Sequence, residues 1–336
     1  MRVLVTGGRA SSAAPVASAC IDAGHEPVIL DDLSSGVRAF TTGRTFFQGD
    51  IGDAAVLDRI FAEYPDIAAA VHCAAFIVVP ESVANPLRYY RNNVGKTIEL
   101  LGHLHRLGCH RLLFSSSASI YLPGPDFTVD ESSPIEPGSP YAATKAMVEA
   151  ILRDLCAAGG MDAVSLRYFN PVGADPRRRT GLQLARPSHA LGELIEAYET
   201  RTPFTITGVD WPTRDGSAIR DYIHVWDLAR AHVQALERFD EILPDGPRYD
   251  VINVGTGRGT TVRELLSAFE AAVGAKLDVV ETGPRPGDVV GSYTRNDKAR
   301  SALGWSAELS IPQAVRDAVE WSAIRESVLN AGSAPG

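Results

Sequence analysis

The sequence has few cysteines, and they are far apart. Its 336 residues include only Cys20, Cys73, Cys109 and Cys156, and no two of them form a CxxC pair. Widely spaced cysteines in apolar stretches are typical of buried, reduced thiols rather than of a disulfide framework. We therefore expect free thiols in a reducing compartment.

Long apolar runs and an excess of positive charge are also lacking. No apolar stretch approaches the roughly 20 residues that a membrane-spanning helix needs. Met1 and Arg2 lead directly into an apolar strand without a signal-peptide pattern, so we expect a cytoplasmic protein. The formal net charge of −9 argues against nucleic acid or an anionic membrane as a partner. An anionic substrate is still compatible with this net charge, because a few arginines can make the electrostatic potential inside a cleft positive.

Metal-binding patterns are absent as well. His103, His105 and His110 have no carboxylate or cysteine cluster at metal-ligand spacing around them. A helix face explains these histidines better than a metal site, and we expect no metal.

Short β-branched runs alternate with helical segments over the first half of the chain. Residues 3–5 form a strand, 13–23 a helix, and 87–107 and 141–158 two longer helices. This rhythm predicts an α/β fold with a doubly wound parallel sheet of the Rossmann type. We predict a dinucleotide-binding domain over 1–170, with returns of the chain near 223–255. A smaller substrate-binding part over 171–330 and a tail over 331–336 complete the organisation.

The turn after the first strand has a modified dinucleotide-binding pattern. A glycine fingerprint would continue at the third and sixth positions after Gly7, where this chain has Ala10 and Ala13. Alone, this segment also fits a plain strand–turn–helix. Asp31 favours the dinucleotide site, because a carboxylate at the end of the second strand binds ribose hydroxyls and repels a 2′-phosphate. We therefore expect NAD, with its pyrophosphate at the helix N-terminus.

A tyrosine and a lysine four residues apart form the candidate catalytic pair. Tyr141 and Lys145 lie on one face of a predicted helix. A free tyrosine has a pKa of about 10, and a neighbouring ammonium group should lower it. The strand 112–117 ends in three serines at the carboxyl edge of the sheet, where one hydroxyl is placed to bind the reacting oxygen. The pair alone occurs often by chance, but after a serine-rich strand end it predicts a catalytic site.

With these features, the chain resembles the extended short-chain dehydrogenase/reductases and, within them, the UDP-glucose (UDP-galactose) 4-epimerases. The resemblance extends from residue 1 to about residue 321. Its most specific stretches are 167–174 (RYFNPVGA) and 220–225 (RDYIHV). The other stretches that carry it are 1–8, 24–25, 30–31, 49–51, 81–83, 90–94, 114–121, 139–141, 210–213 and 227–228.

This resemblance implies NAD-dependent inversion of C4 in a UDP-hexose through a 4-keto sugar. Tyr141 would be the base, Ser117 would bind the C4 oxygen, and Lys145 would bind the nicotinamide ribose. The implied cofactor contacts are Gly7, Ser11, Ser12, Asp31, Asp50, Ile51, Ala74, Asn92, Tyr141, Lys145 and Phe169. The implied substrate contacts are Ser117, Asn170, Arg220, Arg285, Asp288 and Ser292.

Further implications concern substrate range and assembly. Ser292 stands where the family has a gate beside the sugar C2 substituent, and a small residue there should admit an N-acetyl group. The resemblance also implies a homodimer that packs segments 87–107 and 141–158 of both subunits. Two departures from the family, Ile77 in place of a lysine and Leu122 in place of a glycine, lie on the cofactor side.

Two other functions remain open from the sequence. One is another NAD-dependent nucleotide-sugar enzyme of this fold, although a dehydratase would need an acid pair where this chain has Ala118 and Ser119. The other is a non-catalytic UDP-sugar-binding paralogue. The modified glycine loop favours that second alternative, and the intact set of Ser117, Tyr141 and Lys145 opposes it.

Overall fold

The structure, a computed structural model, describes residues 1–7, 13–34, 36–184, 187, 189–244, 248–284 and 289–331. Its strands are β1 (Arg2–Thr6), β2 (Glu26–Asp31), β3 (Thr45–Gln48), β4 (Ile67–His72), β5 (Arg111–Ser117), β6 (Thr128–Val129), β7 (Asp162–Tyr168), β8 (Asn170–Val172), β9 (Phe204–Thr207), β10 (Ile219–Arg220), β11 (Tyr222–His224), β12 (Tyr249–Val254), β13 (Thr260–Thr261), β14 (Val279–Thr282) and β15 (Gly291–Thr294). Its α-helices are α1 (Ala13–Asp22), α2 (Ala54–Glu63), α3 (Val79–Ala84), α4 (Pro86–Tyr89), α5 (Lys96–Arg106), α6 (Pro140–Ala157), α7 (Ala190–Thr200), α8 (Val225–Glu237), α9 (Phe239–Ile242), α10 (Val262–Val273), α11 (Asp297–Leu303) and α12 (Ile311–Ala331).

Seven strands form the main sheet, in the order β12-β7-β5-β4-β1-β2-β3. Every neighbouring pair in this sheet is parallel. The strand order reverses between β1 and β4, and ligands bind at such a switch point in doubly wound sheets. The predicted fold class is confirmed.

The sheet is buried on both faces because its strands are apolar at successive positions. Val3 and Val5 of β1 are fully buried in a core on the side of α1 and α8. Leu4, which points the opposite way, is buried in a second core that includes residues of α2, α5 and α6. Residues 13–20 of helix α1 are all buried, and most of them are alanine or another small residue.

Part of the chain after β7 surrounds a third apolar core, whereas α8 and β12 return to the main sheet. This core joins residues of α7, α10 and α12. Strands β13, β10, β15 and β6 form a four-stranded sheet, and β6 comes from the segment after β5. Strand β8 begins two residues after the end of β7. The short strands therefore lie next to the carboxyl edge of the main sheet.

One predicted helix differs from the structure. The segment 87–107 was expected to form one long helix, but α4 and α5 are separated by a π-helical turn over Tyr90–Gly95. Asn92, Asn93 and Gly95 lie in this turn, and both asparagine and glycine weaken an α-helix. Single π-turns inside helices occur frequently at functional sites.

All four cysteines are free thiols. Within the described ranges, none of the helices combines the length and the apolar character that a bilayer crossing requires.

Candidate active site

Tyr141 and Lys145 lie in the first turns of α6, whose start is determined locally. Ser139 caps the helix by accepting a hydrogen bond from the Ala142 N–H at 3.2 Å, and Pro140 occupies the first turn. Both candidate side chains are buried, with Tyr141 8% and Lys145 3% exposed. The helix therefore presents its phenol and ammonium groups to the interior of the site.

Ser117 ends β5 and lies beside Tyr141. Its hydroxyl is close enough to the Tyr141 phenol to oppose the effect of burial on the pKa of that phenol. The Ser117 Oγ also accepts the Ser119 N–H at 3.2 Å and lies 2.9 Å from the Ser119 Oγ. The structure thus brings together Ser117 and Tyr141, which are 24 positions apart in the sequence.

Burial controls the electrostatics of this centre. It raises the pKa of the Tyr141 phenol above its ordinary value, and the neighbouring Ser117 hydroxyl acts in the opposite direction. Burial also lowers the pKa of Lys145 to about 8. The Lys145 Nζ donates to the Ser115 carbonyl at 2.7 Å and lies 6.0 Å from the centre of the Tyr141 ring. The net pKa shift of Tyr141 is therefore opposite to the one expected from the sequence.

Gly7 lies at the switch point of the sheet, and Asp31 ends the neighbouring strand β2. Gly7 has a φ of +69°, and a Cβ on it would come within 2.7 Å of the Ala74 backbone. Only glycine allows this close approach. Asp31 is buried at the end of β2, and its Oδ1 accepts the Leu33 N–H at 2.8 Å. The predicted contacts Ser11 and Ser12, and also Arg9 and Ala10, lie outside the described residues.

Asp50, Ile51, Asn92 and Phe169 lie on three separate segments near the carboxyl ends of the strands. Asp50 accepts the Gly52 N–H at 2.9 Å and forms an ion pair with Lys96. Ile51 and Phe169 are buried, at 7% and 8% exposure. Asn92 donates to the Asn93 Oδ1 at 3.0 Å.

Arg220 and Ser292 are brought together by two adjacent strands. In the parallel pair of β10 and β15 they are register partners. The Arg220 guanidinium donates to the carbonyls of Val289, at 3.1 Å, and Val290, at 2.8 Å. Gly291 makes this possible, because a Cβ there would come within 2.1 Å of the Arg220 Nη1.

Asn170 is exposed at the start of β8, and its N–H donates to the Asp221 carbonyl at 3.0 Å. This bond ties Asn170 to the residue that follows Arg220. The predicted substrate contacts Arg285 and Asp288 lie outside the described residues.

A family model described as the NAD dependent epimerase/dehydratase family matches residues 3–255. The chain belongs to this family. A protein of Azospirillum brasilense named UDP-glucose 4-epimerase is 40% identical over 100% of this chain and 96% of its own length.

Two solved structures resemble this member of the epimerase/dehydratase family throughout. UDP-glucose-4-epimerase from Stenotrophomonas maltophila, solved with bound NAD and formylated UDP-arabinopyranose, has a TM-score of 0.90 and 34% identity. That match covers 98% of this chain and 99% of the other. The UDP-Glc/GlcNAc 4-epimerase of Campylobacter jejuni has a TM-score of 0.80 and 30% identity, over 96% and 99% of the two chains.

The described residues of this family member fit NAD. Gly7 leaves room at the switch point, and the buried Asp31 carboxylate ends β2 where an adenosine ribose would lie. Ile77 is 54% exposed and Leu122 is 46% exposed, so both departures from the family pattern lie at the surface. No group of three or more metal-binding side chains occurs in the part of the chain that the structure describes.

Sequence reasoning missed several buried polar residues of this epimerase/dehydratase chain. Glu149 forms a buried ion pair with Arg167, and its carboxylate also accepts the Ser116 hydroxyl. Asn93 connects the loop after β4 to α6. Two sequence signals could have found them. Glu149 is four residues after Lys145 on the same helix face, and Asn93 interrupts an otherwise regular helical pattern.

Proposed function

We propose that the protein is an NAD-dependent UDP-hexose 4-epimerase, which interconverts UDP-glucose and UDP-galactose. The observation that carries this proposal is the contact between Ser117 and Tyr141 at the carboxyl edge of the sheet, with Lys145 one helical turn after Tyr141. Relatives named UDP-glucose 4-epimerase match the chain over nearly its full length, which supports the same activity.

Tyr141 exchanges a proton with the sugar O4, and the Ser117 hydroxyl binds the same oxygen. NAD, when bound, supplies the hydride chemistry at C4. Because burial raises the pKa of Tyr141, the resting phenol holds its proton at neutral pH. Its conversion to the base therefore depends on hydrogen bonds that favour the phenolate, and Ser117 supplies one of them. Lys145 holds the nicotinamide ribose beside this pair.

Arg220 anchors the UDP diphosphate while the 4-keto hexose turns over and presents its other face. Its guanidinium is oriented by the carbonyls of Val289 and Val290, so less of its conformational entropy has to be lost on binding. We assign Arg285 and Asp288 to the same subsite from the family resemblance. Asn170 contacts the sugar diphosphate from the start of β8.

The substrate range extends to UDP-N-acetylhexosamines. Ser292 is small and is the register partner of Arg220, which brings the proposed gate next to the proposed diphosphate anchor. A solved structure with 30% identity is named a UDP-Glc/GlcNAc 4-epimerase, so both sugar types occur among relatives of this chain.

The enzyme acts as a homodimer in the cytoplasm, without nucleic-acid or membrane partners. Exposed apolar side chains on the proposed dimer segments support the assembly: Leu87 is 66% exposed, Ile98 48% and Met147 45%. Exposed apolar residues grouped on neighbouring helices often mark a subunit interface. Sedimentation of the purified protein tests this state, and a monomer at micromolar concentration would contradict it.

One experiment tests the activity. The purified protein is assayed for bound NAD and incubated separately with UDP-glucose, UDP-galactose, UDP-GlcNAc and UDP-GalNAc. We expect interconversion within both pairs. If neither pair of sugars is interconverted, even with NAD added, the proposal is overturned. Release of a 4-keto-6-deoxy sugar would indicate a dehydratase, and UDP-sugar binding without turnover would indicate a non-catalytic paralogue.

A further inference from the structure

Helix α1 is covered on every side over most of its length. A helix that packs on a sheet ordinarily keeps a polar outer face, but residues 13–20 of α1 are all buried. Val16 and Cys20 pack in the core shared with the sheet and α8. Ala14 and Ser18 lie on the opposite side of the helix, because they are offset from Val16 and Cys20 by about half a turn. Other segments must therefore cover this outer side.

Two aromatic side chains from distant parts of the chain cover Ala14. Phe40 is 2% exposed and lies in the 3₁₀ turn Arg38–Thr41, between β2 and β3. Trp321 is 1% exposed and belongs to α12. Their ring centres are 5.8 Å apart and the rings are tilted by 54°, a favourable geometry for aromatic pairs. With Ala14 and Ala174 they form one apolar group, the outer cluster.

Arg44 attaches α1 to the same 3₁₀ turn through hydrogen bonds. Its Nη1 donates to the Ala14 carbonyl at 3.2 Å, and its Nη2 donates to the Ser18 hydroxyl at 2.6 Å. The Arg44 N–H donates to the carbonyl of Thr41, the last residue of the turn, at 2.9 Å. The segment 38–44 therefore holds one full turn of α1 by apolar packing and by charge-assisted bonds.

Trp321 is itself held in one orientation. Its indole Nε1 donates to the Leu182 carbonyl at 2.9 Å. Its ring lies against Gly181, where an added Cβ would come within 2.5 Å of the ring. Ile324 and Val328, one and two turns further along α12, pack against the outer cluster. The carboxyl-terminal half of α12 is thus seated on the dinucleotide-binding part of the chain.

The same face of α12 also contacts the smaller part. Asp317 lies one helical turn before Trp321, and its carboxylate is 3.0 Å from the His224 Nε2 in β11. The His224 Nδ1 accepts the Trp226 N–H at 3.0 Å, so Nε2 is the donor to Asp317. One rigid helix therefore connects β11 to the outer side of α1.

The position of α1 matters for the cofactor. In this fold a dinucleotide pyrophosphate binds at the N-terminus of the helix that follows the first strand. The fingerprint glycine that lets this helix pack closely on the strand is replaced here by Ala13. The outer cluster and Arg44 supply packing from the other side, and a shift of α1 would displace the N–H groups of its first turn.

We propose that Phe40, Arg44 and Trp321 are positioning residues for NAD, and that the carboxyl-terminal half of α12 retains the cofactor by holding α1 in place. None of the three side chains has to contact NAD for this role. The inference rests on the proposed epimerase function, in which NAD stays bound between turnovers. The affinity for NAD is nevertheless measurable without turnover.

The test measures NAD binding to cofactor-stripped protein by calorimetry and NAD release by stopped-flow fluorescence. We expect Trp321→Leu and Phe40→Leu to raise the Kd for NAD by about tenfold or more, mostly through faster release. Arg44→Ala, which removes a partly buried side chain and leaves the aromatic pair intact, should raise the Kd by about threefold to tenfold. Trp321→Phe keeps a ring against Phe40 and should stay within about threefold of the wild type.

Trp305→Leu is the matched control. Trp305 is 3% exposed, and its Nε1 also donates to a carbonyl, that of Asp227, at 3.1 Å. It lies outside the outer cluster. Urea unfolding should show losses of stability in both tryptophan variants, whereas the Kd for NAD should change only in Trp321→Leu.

Wild-type NAD binding in Trp321→Leu and Arg44→Ala, or an equal rise of the Kd in Trp305→Leu, would overturn the inference. If Trp321→Leu does not fold, Phe40→Leu and Arg44→Ala decide the question by the same measurement. If the wild type binds NAD but shows no epimerisation, the proposed function fails, and the NAD affinities of the variants still decide the role of the outer cluster.

Discussion

The Arg167 guanidinium and the Glu149 carboxylate form an ion pair behind the strand end that carries Ser117, with Nε and Oε1 2.9 Å apart. The two side chains are 3% and 1% exposed. The Glu149 carboxylate also accepts the hydroxyl of Ser116, the neighbour of Ser117. Arg167 donates from Nη1 to the Tyr121 hydroxyl at 2.7 Å. This network connects α6, β5 and β7 below the proposed site.

Arg167→Gln should therefore destabilise the protein strongly. Removing one partner of a buried pair leaves an uncompensated charge and typically costs about 3–5 kcal/mol. Urea unfolding of the variant and the wild type measures the change in the free energy of unfolding. Arg106→Gln serves as the control, because Arg106 pairs with Asp58 at a half-exposed site, where such pairs contribute less than about 1 kcal/mol. Equal, small losses in the two variants would contradict the structural role of the buried pair.

Tyr141→Phe should abolish most turnover and leave UDP-sugar binding intact. The change removes only the phenolic oxygen, and a positioned acid–base group contributes about 10²–10⁴-fold to rate. Epimerisation rates and calorimetric titration with UDP-sugar give the two quantities. Tyr198→Phe is the control, since Tyr198 is 40% exposed and packs edge-on against Phe269 outside the site. Turnover of Tyr141→Phe at the rate of the control would exclude Tyr141 as the base.

Stability should fall on acidification because of two buried histidines. Burial lowers the pKa of His72 to about 3 and that of His232 to about 4. The unfolded chain protonates these residues below its ordinary pKa of about 6.5 and so binds more protons than the native state between about pH 4 and 6.5. The free energy of unfolding therefore increases with pH across this window. The stability that these histidines contribute is lost as the pH falls through it.

The slope in this window should be on the order of 1 kcal/mol per pH unit for each histidine. His232→Asn should reduce it, since Asn has no titrating group. His110→Asn, at an exposed position, is the control. Denaturant unfolding between pH 4 and 7 measures the slopes, and an identical slope in His232→Asn and the wild type would refute the assignment.

Gly291→Ala should weaken UDP-sugar binding. Gly291 has a φ of +112°, and an added Cβ would meet the Ile219 carbonyl at 1.8 Å and the Arg220 Nη1 at 2.1 Å. The Arg220 side chain must then move, with loss of charge-assisted contacts to phosphate and an increase in the UDP-sugar Kd of about tenfold or more. Gly283→Ala is the control, because an added Cβ there meets no atom within 4 Å. Similar Kd values for the two variants would argue against Arg220 as the diphosphate anchor.

Ser292→Tyr should remove activity on the N-acetyl substrates selectively. A phenol next to Arg220 fills the space that the C2 substituent needs, and such a clash discriminates between substrates. We expect kcat/KM for the UDP-GlcNAc and UDP-GalNAc pair to fall by about tenfold or more, and that for the unsubstituted pair to stay within about threefold. Ser292→Ala, which keeps the residue small, should behave like the wild type on both pairs. Equal losses of activity on both pairs in Ser292→Tyr would contradict the proposal that Ser292 is the gate.

The sequence predicted the architecture well because the required signals are local. Apolar runs such as 3–5 and the turn at Gly7 identify strands and crossovers, and these specify a doubly wound sheet. The π-turn over Tyr90–Gly95 escaped prediction, because Asn93 leaves regular helical geometry only in response to Phe76, a residue in a different segment. The direction of the pKa shift of Tyr141 was not predicted for a related reason, since burial is a property of the assembled fold.

The sequence by itself therefore determined the spacing of Tyr141 and Lys145 on one helix and the start of that helix at Ser139. Both follow from the helical repeat and from capping, which act over a few residues. Only the tertiary structure decided that Ser117 contacts Tyr141, that Ser292 lies beside Arg220, and that Lys145 donates to the Ser115 carbonyl. These relationships depend on crossover connections and desolvation, which bring together residues that are distant in the chain.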